Sequence, residues 1–261
     1  MYLGTWAVYR RRIKNRIARR ETFPPLIRLC REAAATAFAV LVTALLAPCA
    51  ALFATLGKMR SFDWSCRVLA RAIIRAVGAK VDLQGLEHIE NVPSFVLVSN
   101  HQSAIDVLAI LAWFPRQVRF VAKKELSKIP VFGYALKNGG HIVVDRERGG
   151  QMLRKAVEVA KNGHCIVFFP EGHRFSDGRV HRFNHGAAWL ALLTKKPCVP
   201  IAIGYSAALM PTSCKLLIPG QTIHLAIGSP IPTGDLQAAD RDKLTRRLEQ
   251  AVRDMFADLV V

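Results

Sequence analysis

Two short blocks of the sequence hold side chains that could move a proton beside a bound anion. The first, residues 100–106, reads NHQSAID and contains His101 and Asp106 with four residues between them. The second, residues 169–174, reads FPEGHR and brings a carboxylate, a glycine and a guanidinium together after an apolar run. A histidine with an ordinary pKa of ~6.5 can accept a proton from an alcohol at neutral pH. A carboxylate on its other ring nitrogen would fix the tautomer and stabilise the imidazolium.

The elements expected around His101 favour a functional site over a chance pairing. A histidine and an aspartate at this spacing form a weak motif, and a helix-capping aspartate beside a core histidine would look the same. However, residues 94–99 form a short apolar run that predicts a strand, and residues 107–113 predict a buried helix. His101 should therefore follow a strand at the edge where open α/β sheets place their sites, with Asp106 in the first turn of the next helix.

The same residues resemble the glycerolipid acyltransferases, whose type member is 1-acylglycerol-3-phosphate acyltransferase. That family carries NHxSxxD, a K-x-E-L … P-x-x-G … G-x-I-x-x-x-R block, then FPEGTRS, and finally an apolar V-P-V/I strand. The resemblance covers roughly residues 80–230. The matching positions after the first block are Lys124, Glu125, Leu126, Pro130, Gly133, Gly140, Ile142, Arg146, Phe169, Pro170, Glu171, Gly172, Arg174, Val199, Pro200 and Ile201.

The resemblance implies a role for each candidate site residue. His101 would be the general base and Asp106 would orient it, so that an acceptor hydroxyl attacks an acyl thioester in one ternary complex. Arg146 and Arg174 would hold the acceptor's anionic head group, because a guanidinium donates two parallel hydrogen bonds to a phosphate. Glu171 cannot bind phosphate directly and would hold an arginine or an acceptor hydroxyl. The remaining expected substrate-binding residues are Asn100, Ser103, Lys124, Gly172 and Pro200.

Three departures from the family pattern leave the acceptor open. His173 and Phe175 stand where the family has Thr and Ser, and Asn184 stands where it often has lysine. The expected reaction moves a fatty acyl group from acyl-CoA or acyl carrier protein to 1-acyl-sn-glycerol 3-phosphate, giving phosphatidic acid. The alternatives are another lysolipid acceptor, such as a lyso-ornithine lipid, or a non-catalytic lipid-binding membrane protein.

Metal, cofactor and disulfide chemistry are not expected. His181 and His185 are four residues apart, but no cysteine or carboxylate completes a ligand set at a recognised spacing. The six cysteines form no C-x-x-C pair and are interpreted as small buried hydrophobic residues in a reducing compartment.

The amino-terminal part of the chain predicts membrane association. The net charge is +18, and residues 33–57 contain no charged side chain, a length that could cross a ~30 Å hydrocarbon core. Basic residues flank this segment on both sides, which favours a re-entrant hairpin turning at Pro48 over a single span. The expected location is the cytoplasmic face of the inner membrane, on an anionic lipid surface.

A basic amphipathic helix is expected next, over residues 62–77, with Arg67, Arg71 and Arg75 on one side. It could lie on anionic lipid or pack on the globular domain. Nucleic acid is not an expected partner, because no recognised motif accompanies the basic cluster at residues 10–14.

The rest of the chain predicts one α/β domain with a mixed, largely parallel sheet covered by helices, preceded by the membrane-associated helical segment. The expected divisions are residues 1–32, 33–57, 58–79 and 80–261. Strands are predicted at 81–83, 95–99, 118–122, 141–144, 165–169, 199–205 and 222–227, and helices at 104–113, 150–162, 185–194 and 240–258.

Overall fold

The computed structural model describes residues 24–129, 131–144, 149–213 and 216–260. Two long helices come first, α1 (Pro25–Thr55) and α2 (Met59–Ala76). The remaining elements alternate between strands and helices. They are β1 (Lys80–Gln84), β2 (Val96–Ser99), α3 (Ile105–Trp113), β3 (Val118–Lys123), α4 (Phe132–Asn138), β4 (Ile142–Val144), α5 (Gly149–Lys161), β5 (Cys165–Phe168), α6 (Gly186–Thr194), β6 (Cys198–Gly204), β7 (Thr222–Ile227) and α7 (Arg241–Val260).

The seven strands form one sheet in the order β1-β7-β6-β2-β5-β3-β4. Every neighbouring pair is parallel except β6 with β7. The expected mixed, largely parallel sheet is therefore confirmed, and each predicted strand boundary agrees within one residue. Because β2, β5 and β3 run in the same direction side by side, their carboxyl ends meet at one edge of the sheet.

Alternate residues of the central strands face two separate hydrophobic cores. Val96 and Val98 point to the core beneath α5, α6 and α7, whereas Phe95 and Leu97 point to the core beneath α2 and α3. All four residues of β2 and of β5 are buried, as expected for strands covered on both faces. Helices packed on both faces of the sheet hold its carboxyl edge in place, and the candidate residues lie at that edge.

The turn expected at Pro48 is wrong. Helix α1 runs through Pro48 without a break, and the chain reverses at residues 56–58, where Gly57 has a φ of 67°. A proline removes one helical N–H bond, but the flanking turns of this long helix continue on both sides. Helix α1 is therefore one uninterrupted helix of 31 residues, and it forms a hairpin with α2.

The two sides of α1 differ in the size of their side chains. The buried side contains Glu32 and five alanines (Ala35, Ala39, Ala47, Ala50 and Ala54), which allow a close approach of the neighbouring elements. The other side exposes large apolar residues, including Leu26, Val40, Leu41, Leu45 and Leu52. Within the described residues, α1 is the one helix long and apolar enough to cross a membrane.

Helix α2 packs on the globular domain, so the packing interpretation of this basic helix is correct for one of its faces. Phe62, Ile73 and Ile74 are buried, and Arg71 donates a hydrogen bond of 2.9 Å from Nε to the carbonyl of Ala112 at the end of α3. Trp64, in contrast, is 64% exposed on the outer face.

A buried ion pair joins α2 to the sheet. Arg119 of β3 is 1% exposed and holds both carboxylate oxygens of Asp63, at 2.7 and 3.1 Å. Burial, and to a smaller extent the Arg119 guanidinium, lowers the pKa of His141 to about 3, so this imidazole is neutral. Neutral His141 accepts the backbone N–H of Phe120 at Nδ1, 3.1 Å away.

The cysteines follow the expectation only in the sheet. Cys165 and Cys198 are buried, and burial raises the pKa of the Cys198 thiol to about 12. Cys30 and Cys49 are exposed, which corrects the expectation that the cysteines are buried. The reason is that both lie on α1 outside its buried alanine side. Cys214 lies outside the described residues.

Candidate functional site

His101 and Asp106 meet at the carboxyl edge of the sheet, as their spacing predicts. His101 is the second residue after β2, next to Asn100, and Asp106 lies in the first turn of α3. His101 Nδ1 lies 2.8 Å from Asp106 Oδ2. The imidazole side chain is 16% exposed and the carboxylate is fully buried. Because Asp106 occupies Nδ1, Nε2 is the ring nitrogen left to accept a proton.

Asp106 also closes the turn between the strand and the helix. Its Oδ2 accepts the backbone N–H groups of Gln102 and Ser103, at 2.7 and 2.9 Å. The same oxygen therefore contacts the imidazole and holds the turn before α3, whereas α3 itself has Ala104 at its N-cap position and no side-chain cap. Asp106 Oδ1 is buried and has no hydrogen-bond partner among the residues that the structure describes. The carboxylate is thus held rigidly by backbone groups before any substrate arrives.

The second block fixes His101 from the other side. The imidazole stacks on the Phe169 ring, with centroids 4.0 Å apart and planes 17° apart. The backbone N–H of Phe175 donates to the carbonyl of His101 at 2.9 Å, and the backbone N–H of His101 donates to Glu171 Oε1 at 3.2 Å. The sequence identified Phe169 and Glu171 as part of the block, but it gave no signal for the stacking of Phe169 on His101 or for the Phe175 amide, because both contacts depend on tertiary folding.

Glu171 is a buried carboxyl that binds the His101 backbone, and its expected contact with an arginine or an acceptor hydroxyl stays a prediction. Its Oε1 accepts the His101 amide, and its Oε2 is buried with no hydrogen-bond partner in the described part of the chain. Burial raises the pKa of Glu171 to about 9, and Asp106 and Asp177 act in the same direction. The neutral carboxyl therefore predominates at neutral pH and carries one O–H donor.

Asn100 and Ser103 hold the His101 turn in place through bonds to backbone groups, and their expected substrate-binding role stays a prediction. Both are fully buried. Asn100 binds the backbone of Ile203 twice, donating from Nδ2 at 2.9 Å and accepting at Oδ1 at 2.8 Å. Ser103 Oγ donates to the carbonyl of Met210 at 2.8 Å. These bonds fasten the His101 turn to the end of β6 and to the loop that follows it.

Pro200 lies in the sheet itself, and its expected substrate-binding role stays a prediction. It lies inside β6 opposite Val98 of β2, and it is buried. Its carbonyl accepts the backbone N–H of Gly228 at 2.9 Å. The V-P-I run is therefore part of a central strand that supports the carboxyl edge of the sheet.

The loop that follows β5 forms the outer rim of the site. Gly172 has a φ of 75°, and its N–H closes a turn by donating to the carbonyl of Phe169 at 3.0 Å. That left-handed backbone favours glycine. Arg174 is exposed two residues later, so its guanidinium is available at the rim. Asn184 donates from Nδ2 to the Pro170 carbonyl at 2.5 Å, which ties the end of the loop to its beginning.

A second histidine–aspartate pair lies on the same rim. His181 Nε2 is 2.9 Å from Asp177 Oδ2, and its ring stacks on Phe175 with centroids 3.8 Å apart. Phe175 is one of the departures from the family pattern, so this stack is a feature of the rim that the motif alone does not indicate. His173 is exposed beside the Phe175 ring, 6.4 Å between centroids.

Lys124 and Arg146, two of the expected substrate-binding residues, are not among the described residues that contact His101 or Glu171. Lys124 is exposed at the start of a short 3₁₀ helix, Lys124–Lys128, directly after β3. Arg146 lies outside the described residues, so its expected role remains a prediction. Among the described residues, no group of three histidine, cysteine or acidic side chains could hold a metal ion.

The chain is similar to known acyltransferases in sequence and in fold. A family model described as Acyltransferase matches residues 80–204. The chain is 35% identical over 159 residues to the chloroplastic 1-acyl-sn-glycerol-3-phosphate acyltransferase BAT2 of Brassica napus, covering 58% of this chain and 45% of that protein. It is 30% identical over 233 residues to the 1-acyl-sn-glycerol-3-phosphate acyltransferase of Saccharomyces cerevisiae, covering 84% of this chain and 75% of that protein.

The fold matches a solved structure. The crystal structure of the 1-acyl-sn-glycerophosphate (LPA) acyltransferase PlsC from Thermotoga maritima superposes with a TM-score of 0.77 at 23% identity, covering 88% of this chain and 96% of that chain. At that identity the likeness concerns the fold. The chain spans less than half the length of the chloroplastic relative.

Proposed function

The chain belongs to the acyltransferase family that includes the 1-acyl-sn-glycerol-3-phosphate acyltransferases, and on that premise we propose that it acylates the free hydroxyl of a lysophospholipid. The proposed acceptor is 1-acyl-sn-glycerol 3-phosphate and the product phosphatidic acid, the reaction named by the relatives. The donor is a fatty acyl thioester of CoA or acyl carrier protein. The observation that carries the proposal is the 2.8 Å contact between His101 Nδ1 and Asp106 Oδ2 at the carboxyl edge of the sheet.

The proposed reaction uses the one free nitrogen of His101. Nε2 accepts the proton of the acceptor hydroxyl while its oxygen attacks the carbonyl carbon of the thioester. The tetrahedral intermediate then collapses, the C–S bond breaks, and the imidazolium returns the proton to the departing sulfur. The products are the new ester and the free thiol of the carrier. Asp106 stabilises the imidazolium between the two proton transfers, and its bonds to Gln102 and Ser103 keep it in place.

The loop after β5 is the proposed site for the acceptor's head group. Arg174 is exposed there, and Arg146 joins it by its position in the motif. Neutral Glu171 supports the same assignment, because the proton on its buried carboxyl provides a donor for an acceptor oxygen. A buried carboxylate would instead repel a phosphate placed beside His101.

Helix α1 supports a membrane location for this reaction. Its alanine side packs on the protein at both ends of the stretch from the Thr36 hydroxyl, which accepts the Leu217 amide, to the Thr55 hydroxyl beside Tyr134. We therefore propose that α1 lies along one leaflet with its large apolar side in lipid, rather than crossing the bilayer. The excess of basic residues supports the cytoplasmic face of the inner membrane.

The departures on the rim favour a second acceptor class as the alternative. Phe175 and His181 form a stacked pair, and Asn184 holds the Pro170 carbonyl where the family often has lysine. A rim with one lysine fewer is compatible with a less anionic head group, such as that of a lyso-ornithine lipid. The alternative requires the same His101 chemistry on a different acceptor.

The test is an assay of purified protein against a panel of acceptors and both donor classes. The acceptors are 1-acyl-sn-glycerol 3-phosphate, glycerol 3-phosphate, a lysophosphatidylcholine and a lyso-ornithine lipid. We expect transfer to the first, and a loss of about 10² to 10⁴ in rate in the His101→Ala variant. His224→Ala is the matched control, since His224 of β7 pairs with Asp82 of the edge strand β1. Transfer to none of the four acceptors, or full turnover without His101, would refute the proposal.

A further inference from the structure

Four large apolar side chains are exposed on the segment that runs from the 3₁₀ helix after β3 into α4, outside the cluster around His101. Leu126 is 39% exposed, Ile129 47%, Val131 42% and Tyr134 48%. They lie within nine residues of sequence, and we call them the α4 patch. A contiguous exposed apolar patch on a small domain marks an interaction surface.

The described residues that carry the α4 patch are joined by backbone contacts. The amide of Gly133 donates to the Ile129 carbonyl at 2.7 Å, and the amide of Ala135 donates to the Val131 carbonyl at 2.8 Å. A Cβ on Gly133 would lie 2.1 Å from the Ser127 carbonyl oxygen, so the 3₁₀ helix and α4 are in direct backbone contact. The apolar side chains are therefore presented to the outside by a packed structure.

The α4 patch continues the large apolar side of α1. Tyr134 Oη lies 3.2 Å from the Thr55 hydroxyl at the end of α1, and Ala135 is buried in one cluster with Ala50 and Ala54. Leu52 and Leu56, next to Thr55, are each 56% exposed. An apolar band thus runs from α1 across the hairpin end onto α4.

The charge around the patch is positive. Residues 123–138 contain four lysines and one acidic residue, a net charge of +3. Lys124, Lys128 and Lys137 are exposed on this segment. Apolar side chains with a fringe of lysines suit an anionic lipid surface, where the side chains enter the interface and the ammonium groups meet the head groups.

We propose that the α4 patch is a second membrane-inserting surface, which holds the carboxyl edge of the sheet against an anionic bilayer. The patch follows β3 directly, and β3 ends at the same edge as β2 and β5, where His101 and Glu171 lie. Contact at both α1 and α4 would orient this edge towards the lipid that supplies the acceptor. This inference rests on the proposed function, since the acceptor is taken to be embedded in the membrane.

An acidic carrier protein is the competing occupant. It would use the lysines, but it would leave the apolar band shared with α1 unexplained, and so the observations favour lipid. The two occupants differ in what the variants should lose, and the experiment separates them.

Depth-dependent quenching tests the insertion on the full-length protein. Tryptophan is introduced by Ile129→Trp, with Leu86→Trp as the control because Leu86 is 41% exposed on the short helix after β1. Vesicles contain phosphatidylglycerol with phosphatidylcholine brominated on its acyl chains, and the fluorescence of the parent protein is subtracted. We expect strong quenching at position 129 and little at position 86. Equal quenching at the two positions overturns the proposal.

An activity comparison supplies the second measurement. In Ile129→Glu/Tyr134→Glu we expect transfer to vesicle-embedded acceptor to fall about tenfold, with transfer to a short-chain soluble acceptor unchanged. The control is Leu86→Glu/Leu193→Glu, which charges two exposed leucines elsewhere. A loss confined to the acyl carrier protein donor identifies a protein docking site and overturns the proposal. If no acceptor is acylated at all, the proposed function fails, while the quenching result still decides whether the patch inserts.

Discussion

Asp106→Asn tests the proposed chemistry with the smallest change of shape. Asp106 Oδ2 accepts three N–H groups, from His101 Nδ1 at 2.8 Å, Gln102 at 2.7 Å and Ser103 at 2.9 Å. The asparagine oxygen can take the same position and accept all three. What the substitution removes is the negative charge, and with it the stabilisation of the imidazolium during proton transfer.

Asp106→Asn should change the free energy of unfolding and the transfer rate by different amounts. Three charge-assisted hydrogen bonds become neutral ones, and the new amide nitrogen replaces Oδ1, which is buried without a partner among the described residues. Together these changes should cost about 2–4 kcal/mol of unfolding free energy, partly offset by the smaller cost of burying a neutral group. The transfer rate should fall by about 10² to 10⁴, which corresponds to about 3–5 kcal/mol of activation free energy.

The assay measures turnover and unfolding on the same preparations. Asp82→Asn is the matched control, because Asp82 pairs with His224 at 3.1 Å but is 43% exposed on an edge strand. The control should change the rate by less than about twofold and stability by less than about 1 kcal/mol. A folded Asp106→Asn protein with near-normal turnover would refute the role of the charge, and with it the pairing as the source of the base.

Three further outcomes follow from contacts around the site. Asn100→Ala removes the side chain that binds the backbone amide and carbonyl of Ile203. Denaturant unfolding should show that the free energy of unfolding falls by about 2–4 kcal/mol, whereas a fall below about 1 kcal/mol would contradict a stabilising role of these two bonds. The raised pKa of Glu171, about 9, means that the folded protein keeps a proton which the unfolded chain releases above pH ~4.5. Wild-type stability should therefore fall relative to Glu171→Gln, by up to about 1.4 kcal/mol per pH unit between pH ~5 and ~9, and parallel stability curves would show that Glu171 is ionised in the fold. Asp63→Asn should cost about 3–5 kcal/mol, because it leaves Arg119 charged and buried, and the double variant Asp63→Leu/Arg119→Met should recover most of that loss if the unpaired charge is the cause.

The sequence predicted the sheet well because its strands are short, apolar and buried on both faces. Such runs, separated by amphipathic helices, leave little ambiguity about a covered, largely parallel sheet. The helix α4 was missed for a local reason. Its segment contains Gly133, a poor helix former, whose value lies in the close approach of its backbone to Ser127. A tertiary contact of that kind has no signature in residue type or spacing.

The sequence predicted the contact between His101 and Asp106 but not the contacts of the residues that support it. The spacing of His101 and Asp106 was sufficient, because a strand-to-helix turn brings those positions together. For Asn100 and Pro200 the motif showed only that they belong to the site. Asn100 binds across the sheet to Ile203, 103 residues later, and Pro200 is buried in a strand. Sequence spacing gives no distance for such long-range contacts, so a positioning residue and a substrate-binding residue look the same.

The contacts around His101 separate the base from the surface that selects the acceptor. The base is fixed by Asp106 of α3 and, from the loop after β5, by the Phe169 ring, the Glu171 carboxyl and the Phe175 amide. The outer side carries His173, Arg174 and the exposed end at Asn184. The Phe175 contact uses its amide, so a change of its side chain leaves the hold on His101 intact. Residues on the rim can therefore differ from the family pattern and alter the head group accepted, while the proton-transfer geometry stays the same.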